Sequence, residues 1–241
     1  MRMAVIGDGT VGTALAKAMG VVPFGPGKEP ICTDVVVICV PTETIGGRQD
    51  LTQVRQAISR VEKARLIILR STVLPGTTEK LQKEVNFPLM FVPEFGFEAT
   101  MEADLAHPSY YILGITPESF ARIDLAKDVL PEAAHYLEMK SISAEFAKYF
   151  CNLWGSSQVV LANSCYDWVV EQTGDPSIYE EAVQGATFHR NIPKWGWVIN
   201  QDGQRGYGGK CLPKDTQAAI SQHKHPLWVA CEKYNNRLRG K

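Results

Sequence analysis

The chain begins with a short apolar run, Met3-Ala4-Val5-Ile6, that passes directly into Gly7-Asp8-Gly9-Thr10-Val11-Gly12 and then into a helix-periodic stretch over 13–19. Strand, glycine turn and helix in immediate succession predict the opening of a βαβ unit. In that unit the first glycine makes the tight turn and the second lets backbone approach a pyrophosphate. The third lets helix and strand pack closely. The helix N-terminus adds free N–H groups and the positive end of its dipole. Asp8 places a negative charge where a phosphate would arrive, unless its side chain turns away.

The rest of the first half repeats the alternation. Val21-Val22 is the expected second strand, followed by Pro23-Phe24-Gly25-Pro26-Gly27. A ribose-binding acid belongs near the end of such a strand. The nearest candidate is Glu29, in a loop, so the choice between NAD and NADP stays open and cofactor binding is expected to be weak. Apolar runs at 34–40, 66–69, 89–92 and 110–114 read as buried parallel strands, with helices at about 48–62, 75–84 and 117–128. Alternating strands and helices predict an α/β fold, a doubly wound parallel Rossmann-type sheet whose ligands sit at the carboxyl ends of its strands. Thr42, Thr72, Glu94 and Glu98 all follow strand ends and are expected to face one crevice.

From 143 to 173 there is no proline and a single glycine, and Phe146, Phe150, Leu153, Leu161 and Trp168 recur at helical spacing. One long central helix is predicted, with Lys148 and Asn152 on one face. Helices at about 177–189, 213–222 and 225–238 complete an all-helical second half. The expected domains are 1–140, dinucleotide-binding, and 141–241, helical. Trp154, Trp168 and Val169 widen the long helix's apolar surface beyond one stripe, which predicts burial on a second side and a homodimer through 143–173.

Charge and composition exclude several classes. With 25 Lys+Arg against 26 Asp+Glu, the net charge of −1 offers no basic excess for a nucleic acid or a membrane surface. No apolar stretch approaches the roughly 20 residues of a membrane span. The N-terminus turns to Gly and Asp before a signal-type apolar region forms. The six cysteines show no CxxC pair and no metal spacing, so no metal is expected and reduced thiols in a cytoplasmic protein are.

Cys211 is read differently. Gly206-Tyr207-Gly208-Gly209-Lys210-Cys211-Leu212-Pro213-Lys214-Asp215 crowds three glycines against a thiol, and Pro213 suits the first turn of a helix. The cysteine then sits at a helix N-terminus, where the dipole favours thiolate. Asp215 stands one turn on. The alternative is a small buried cysteine in a glycine loop. A nucleophilic thiol facing a dinucleotide site suits a two-step oxidation of an alcohol to an acid, through a thiohemiacetal and a thioester. Lys148 and Asn152 are available for the oxyanion, and Asp215 and Glu94 for water.

These stretches resemble the UDP-glucose/GDP-mannose dehydrogenases (nucleotide-sugar 6-dehydrogenases). The matching segments are 7–12, Cys39-Val40-Pro41-Thr42, Ser71-Thr72-Val73-Leu74-Pro75-Gly76-Thr77-Thr78, Pro93-Glu94-Phe95, Ala144-Glu145 with Lys148 and Asn152, and 206–216. The resemblance implies Cys211 as nucleophile, Lys148 and Asn152 as oxyanion partners, Asp215 as the residue assisting hydrolysis, and Thr72 and Glu94 in water handling. It implies NAD held by Gly7, Gly9, Thr10, Val11, Gly12, Val40, Thr42, Ser71, Thr72, Glu98 and Lys214. It implies a sugar or nucleotide-sugar substrate held by Glu94, Phe95, Lys148, Asn152, Gly206, Tyr207 and Gly208, and a homodimer.

Two departures follow. The segment 20–33 is shorter than in the family, and the ribose acid is absent with it. The chain also ends about where the family's third, UDP-gripping domain should begin, so a truncated form is expected. The alternatives to a catalytic enzyme are a degenerate binding subunit that needs a partner chain, and a one-step hydroxyacid dehydrogenase on the same fold.

Overall fold

The structure is a computed structural model and describes residues 2–200 and 202–241. The chain forms two compact units, Met1–Ile45 with Gln49–Lys148, and Gly46–Arg48 with Tyr149–Lys241.

The first unit is built on a six-stranded sheet of β1 (Met3–Ile6), β2 (Val35–Ile38), β3 (Leu66–Leu69), β4 (Leu89–Phe91), β5 (Tyr110–Ile115) and β6 (His135–Lys140), adjacent in that order. β1 to β4 are parallel, with Val5 beside Val37 and Ile68 beside Met90. Alternate residues of these short apolar runs point to opposite faces, and both faces are covered. On one, Val5, Val37 and Ile68 pack with Leu15 of α1 (Thr10–Ala18), and further along the same core lie Met101 of α4 (Met101–Ala106) and Ala126 of α5 (Ile123–Val129). On the other, Ile6, Ile38 and Leu69 share a core with Val54 of α2 (Thr52–Ser59), Leu81 of α3 (Thr77–Gln82) and Ala144 at the start of α6 (Ser141–Thr173). The unit is a doubly wound α/β sheet.

Three sequence expectations need correction. Val21-Val22 form no strand, and Val22 is 82% exposed. The Val21 N–H instead closes α1 on the Ala16 carbonyl, after Gly20 at φ 67°, in a helix-terminating turn. The second strand shrinks to a single parallel bridge at Phe24, whose N–H donates to Val5 O (2.7 Å) and whose carbonyl accepts from Gly7 N (2.8 Å). Second, the sheet is not parallel throughout. β5 runs antiparallel to β4, with Phe91 opposite Gly114, and β6 pairs parallel with β5. Third, β6 was missed because it lies at the sheet's edge and is mostly exposed, so it carries no apolar run.

The start of α6 is fastened to the sheet unit by Glu145. This side chain is fully buried, and its carboxylate accepts from Gly76 N (2.5 Å), Thr78 N (2.7 Å) and Thr78 Oγ1 (2.6 Å). Gly76 is the N-cap of α3 and has no side chain, so Glu145 caps that helix from 67 residues away. Burial pushes the Glu145 carboxyl above its ordinary range, while the Thr78 and Gly76 donors pull it back.

Along α6, Glu145, Tyr149, Leu153, Ser156 and Asn163 are buried. Phe146, Phe150, Trp154, Leu161 and Trp168 stay exposed, at 43%, 62%, 58%, 46% and 68%. Phe146 and Phe150 therefore lie outside the buried core, although they share the helical spacing of the buried Leu153. The exposed stripe lies roughly 120° around the helix from the buried one, at about 100° per residue.

The second unit adds α7 (Ser177–Ala186), α8 (Leu212–Gln222) and α9 (Pro226–Leu238). Asn235 of α9 pins the preceding loop by accepting from Tyr207 N (2.7 Å) and donating to Tyr207 O (3.1 Å).

Glu145→Ala leaves the α3 N–H groups buried without their charged acceptor. We expect a loss of about 3 kcal/mol, read as a lower urea midpoint. An unchanged midpoint would show that the cap contributes nothing.

Candidate active site

In the first unit the crevice opens where the chain turns from Phe24, on one side of β1, to β2 on the other. That reversal is the switch point at which ligands bind in such sheets. The turn after β1 is packed backbone to backbone. Gly7 has φ 119°, and a Cβ there would overlap the Cys39 carbonyl. A Cβ on Gly12 would overlap the Gly7 carbonyl. Gly9 differs, since a Cβ there meets nothing within 4 Å. The space over Gly9 is open to a ligand. Gly9 is also the N-cap of α1 without a side-chain cap, and the first helical bond runs from Thr13 N to Gly9 O (2.9 Å). The N–H groups of Thr10, Val11 and Gly12 precede that bond and can serve an anion. A tight turn, an open glycine and an uncapped helix start fit a dinucleotide pyrophosphate.

The ends of β2 and β3 are tied together beside this turn. Val40 N donates to Ser71 Oγ (2.9 Å), and Thr42 Oγ1 to Thr72 O (2.6 Å). Gln49, which the sequence reading did not single out, also donates to Thr72 O (3.1 Å) and accepts from Leu74 N (2.9 Å). Val40, Thr42, Ser71 and Thr72 thus form one hydrogen-bonded rim. Beyond β4, the Glu94 carboxylate accepts from Gly96 N in a tight turn. Lys148 is 7% exposed, and its Nζ lies 5.1 Å from the Phe95 ring centroid. Among the described residues no carboxylate pairs with this ammonium, so its charge is available to an oxygen. Glu98 is exposed on the loop before α4.

Two groups on the crevice floor matter for the assignment. Burial pushes the Cys39 thiol up to about 12, against the pull of Arg70 and with a further push from Glu94, so Cys39 is no nucleophile. Arg70 follows β3 and is 3% exposed, with no acceptor for its Nε or Nη1 among the described residues; its guanidinium carbon lies 5.5 Å from the Tyr111 ring centroid. The sequence signal for it was a charge placed directly after the all-apolar run 66–69.

In the second unit Cys211 is the N-cap of α8 and is exposed. Pro213 stands in the first turn, and Asp215 N donates to Cys211 O (3.0 Å). The Asp215 side chain is 1% exposed. Its two oxygens accept from Asn152 Nδ2 (2.7 Å) and from Lys214 Nζ (2.6 Å). Lys214 therefore pairs with a carboxylate within its own unit. Gly206, at φ 82°, lies against Asn235 and Gly208 against Asp202 and Arg239, so the loop before Cys211 is held from below. Among the described residues no group of three or more His, Cys, Asp or Glu is placed to hold a metal ion. No described helix is long and apolar enough to cross a membrane.

Residues 26–130 match the family model "UDP-glucose/GDP-mannose dehydrogenase family, NAD binding domain". That stretch, 105 of the chain's 241 residues, is what is similar to the family's NAD-binding domain. NAD is the cofactor this domain indicates, and the glycine turn at 7–12 lies just before the matched stretch. Among curated proteins the chain is similar to UDP-N-acetyl-D-mannosamine dehydrogenase of Pyrococcus horikoshii, at 28% identity over 80% of this chain and 47% of that protein. It is also similar to GDP-mannose 6-dehydrogenase of Azotobacter vinelandii, at 24% identity over 82% of this chain and 48% of that protein. The chain thus spans about half the length of these relatives. The solved UDP-D-ManNAc dehydrogenase from Pyrococcus horikoshii shares the fold, with a TM-score of 0.82 at 22% identity, covering 100% of this chain and 69% of that one.

The open face of Gly9 yields a test in this NAD-binding domain. Gly9→Ala should leave the apo melting temperature within about 2 °C, since an exposed change away from packing costs little. The new methyl should nevertheless weaken NAD binding at least about tenfold by holding the pyrophosphate off the helix start. Undiminished affinity in a titration would place the pyrophosphate elsewhere.

Proposed function

We propose that the protein is an NAD-dependent oxidoreductase of the nucleotide-sugar 6-dehydrogenase type, which oxidises a sugar primary alcohol to a carboxylate through a covalent intermediate on Cys211. The observation that carries this reading is the exposed cysteine at the N-cap of α8, one turn before a buried Asp215 held by Asn152 and Lys214. A glycine loop with no chemistry has no need of that network. Relatives that act on UDP- and GDP-linked sugars support the substrate class.

When bound, NAD would accept a hydride from the alcohol carbon as the hydroxyl proton leaves to water, and a second NAD, bound after the first departs as NADH, would accept a hydride from the carbon attached to sulfur. Between those events the Cys211 thiolate adds to the aldehyde carbon, forming a C–S bond and an oxyanion. In this reading the Lys148 ammonium and the Asn152 amide donate to that oxygen. Water then attacks the thioester carbon, Asp215 accepts the proton, and the thiolate leaves as the acid forms. Asn152 and Lys214 fix the rotamer from which Asp215 does this. Thr72 and Glu94 handle water. In this reading Gly206, Tyr207 and Gly208 bind the sugar, and Glu98 serves the nicotinamide.

The exposed stripe of Phe146, Phe150, Trp154, Leu161 and Trp168 supports a homodimer through α6, because a helix apolar on two sides is covered on two sides. Six free cysteines support a reducing, cytoplasmic setting.

With a UDP- or GDP-sugar as substrate, we expect two NADH per sugar and an acid product, and no acid from Cys211→Ser. One NADH would favour a one-step dehydrogenase, and none a binding subunit. Light scattering at micromolar concentration should give twice the chain mass; a folded monomer would remove the dimer.

A further inference from the structure

The sequence lacks an acid at the end of the second strand, where a dinucleotide fold holds the adenosine ribose. Residue 25 occupies that place. It follows the bridge residue Phe24 and stands 18 positions after Gly7, close to the spacing of about 20 expected for a ribose acid. It is a glycine, and what lies against it is the carboxylate of Asp8, reaching across from the first turn. A Cβ on Gly25 would stand 2.7 Å from Asp8 Oδ2 and 3.4 Å from Asp8 Cγ. An aspartate's own carboxylate oxygen lies roughly 2.4 Å from its Cβ, by standard bond lengths. Asp8 therefore brings an oxygen as near to the position-25 Cβ site as an aspartate's own carboxylate would be.

We infer that Asp8 is the ribose-binding residue of this protein and sets its preference for NAD over NADP. This rests on reading the crevice of the first unit as the NAD site. Asp8 is exposed, and among the described residues nothing donates to its carboxylate, so both oxygens can accept from ribose hydroxyls. The charge that reads as an obstacle to phosphate is turned towards the ribose end instead. The glycine facing it is fixed in place: Arg60, 8% exposed, donates from Nη1 to Gly25 O (2.9 Å) and from Nε to Glu29 O (3.2 Å). Those bonds hold the Nε and Nη1 donors of Arg60 on backbone carbonyls. Glu29, the candidate from sequence, folds its carboxylate back over Gly27, 3.6 Å from Arg60 Nη2. A ribose 2′-phosphate would meet the Asp8 charge directly and be repelled.

The test is equilibrium binding by calorimetry, with NAD, NADP and an NAD analogue lacking the adenosine 2′-hydroxyl. The wild type should prefer NAD to NADP and NAD to the deoxy analogue. Asp8→Asn should lose about ten- to a hundredfold in NAD affinity, bind the deoxy analogue almost as well as NAD, and narrow the NAD/NADP ratio by at least about tenfold. A purely structural role for Asp8 would lower all three affinities alike and overturn the inference. Glu29→Gln should leave NAD binding unchanged; a loss there would make Glu29 the ribose acid. The double variant Asp8→Gly, Gly25→Asp returns the carboxylate to the strand end, and its recovery of NAD binding would support the placement even if Asp8→Asn folds poorly. Wild-type protein that binds neither dinucleotide would refute the cofactor reading itself. Wild type that binds NAD with Asp8→Asn unaffected would refute the Asp8 assignment alone.

Discussion

A backbone contact with no room for a side chain organises the first unit. Gly12 sits against the Gly7 carbonyl, and Gly7 against the Cys39 carbonyl, so β1, β2 and α1 converge closer than any alanine allows. Everything at the crevice takes its position from that convergence. The α1 N-terminus is aimed across the open face of Gly9. Cys39 is driven below the floor, where burial keeps its thiol protonated. Val40 and Thr42 emerge where they can be tied to Ser71 and Thr72.

A different kind of contact holds the start of α6. Glu145 is a charge taken fully out of water, which is unfavourable unless donors replace the water. Three donors at the start of α3 do so. A cap supplied from another helix couples two elements in a way that a cap supplied by a neighbouring residue cannot.

In the second unit the same economy appears around Asp215. Its carboxylate is almost wholly buried, and the cost is offset by one amide and one ammonium. The two partners come from α6 and α8, so the network locks the helix that carries Cys211 against the helix that carries Asn152. Cys211 itself stays exposed because it is the cap and not part of the packed turn.

Much of this was legible along the chain. Leu66–Leu69 and Leu89–Phe91 are buried on both faces, so they read as continuous apolar runs, and α6 declared itself by its period. The glycine turn and the thiol at the start of α8 were equally plain, because local geometry restricts the residue types allowed there. Tertiary structure decided the rest. Val21-Val22 looked like a strand but served to close a helix, and β6 lacked a signal because it is exposed at the sheet's edge. The solitary charge of Arg70, the partners of Glu145 and the direction of the Asp8 carboxylate were invisible for one reason. Sequence periodicity reports how each segment faces its surroundings, whereas a buried charge is settled by groups many residues away. Only the folded chain brings Gly25 to Asp8.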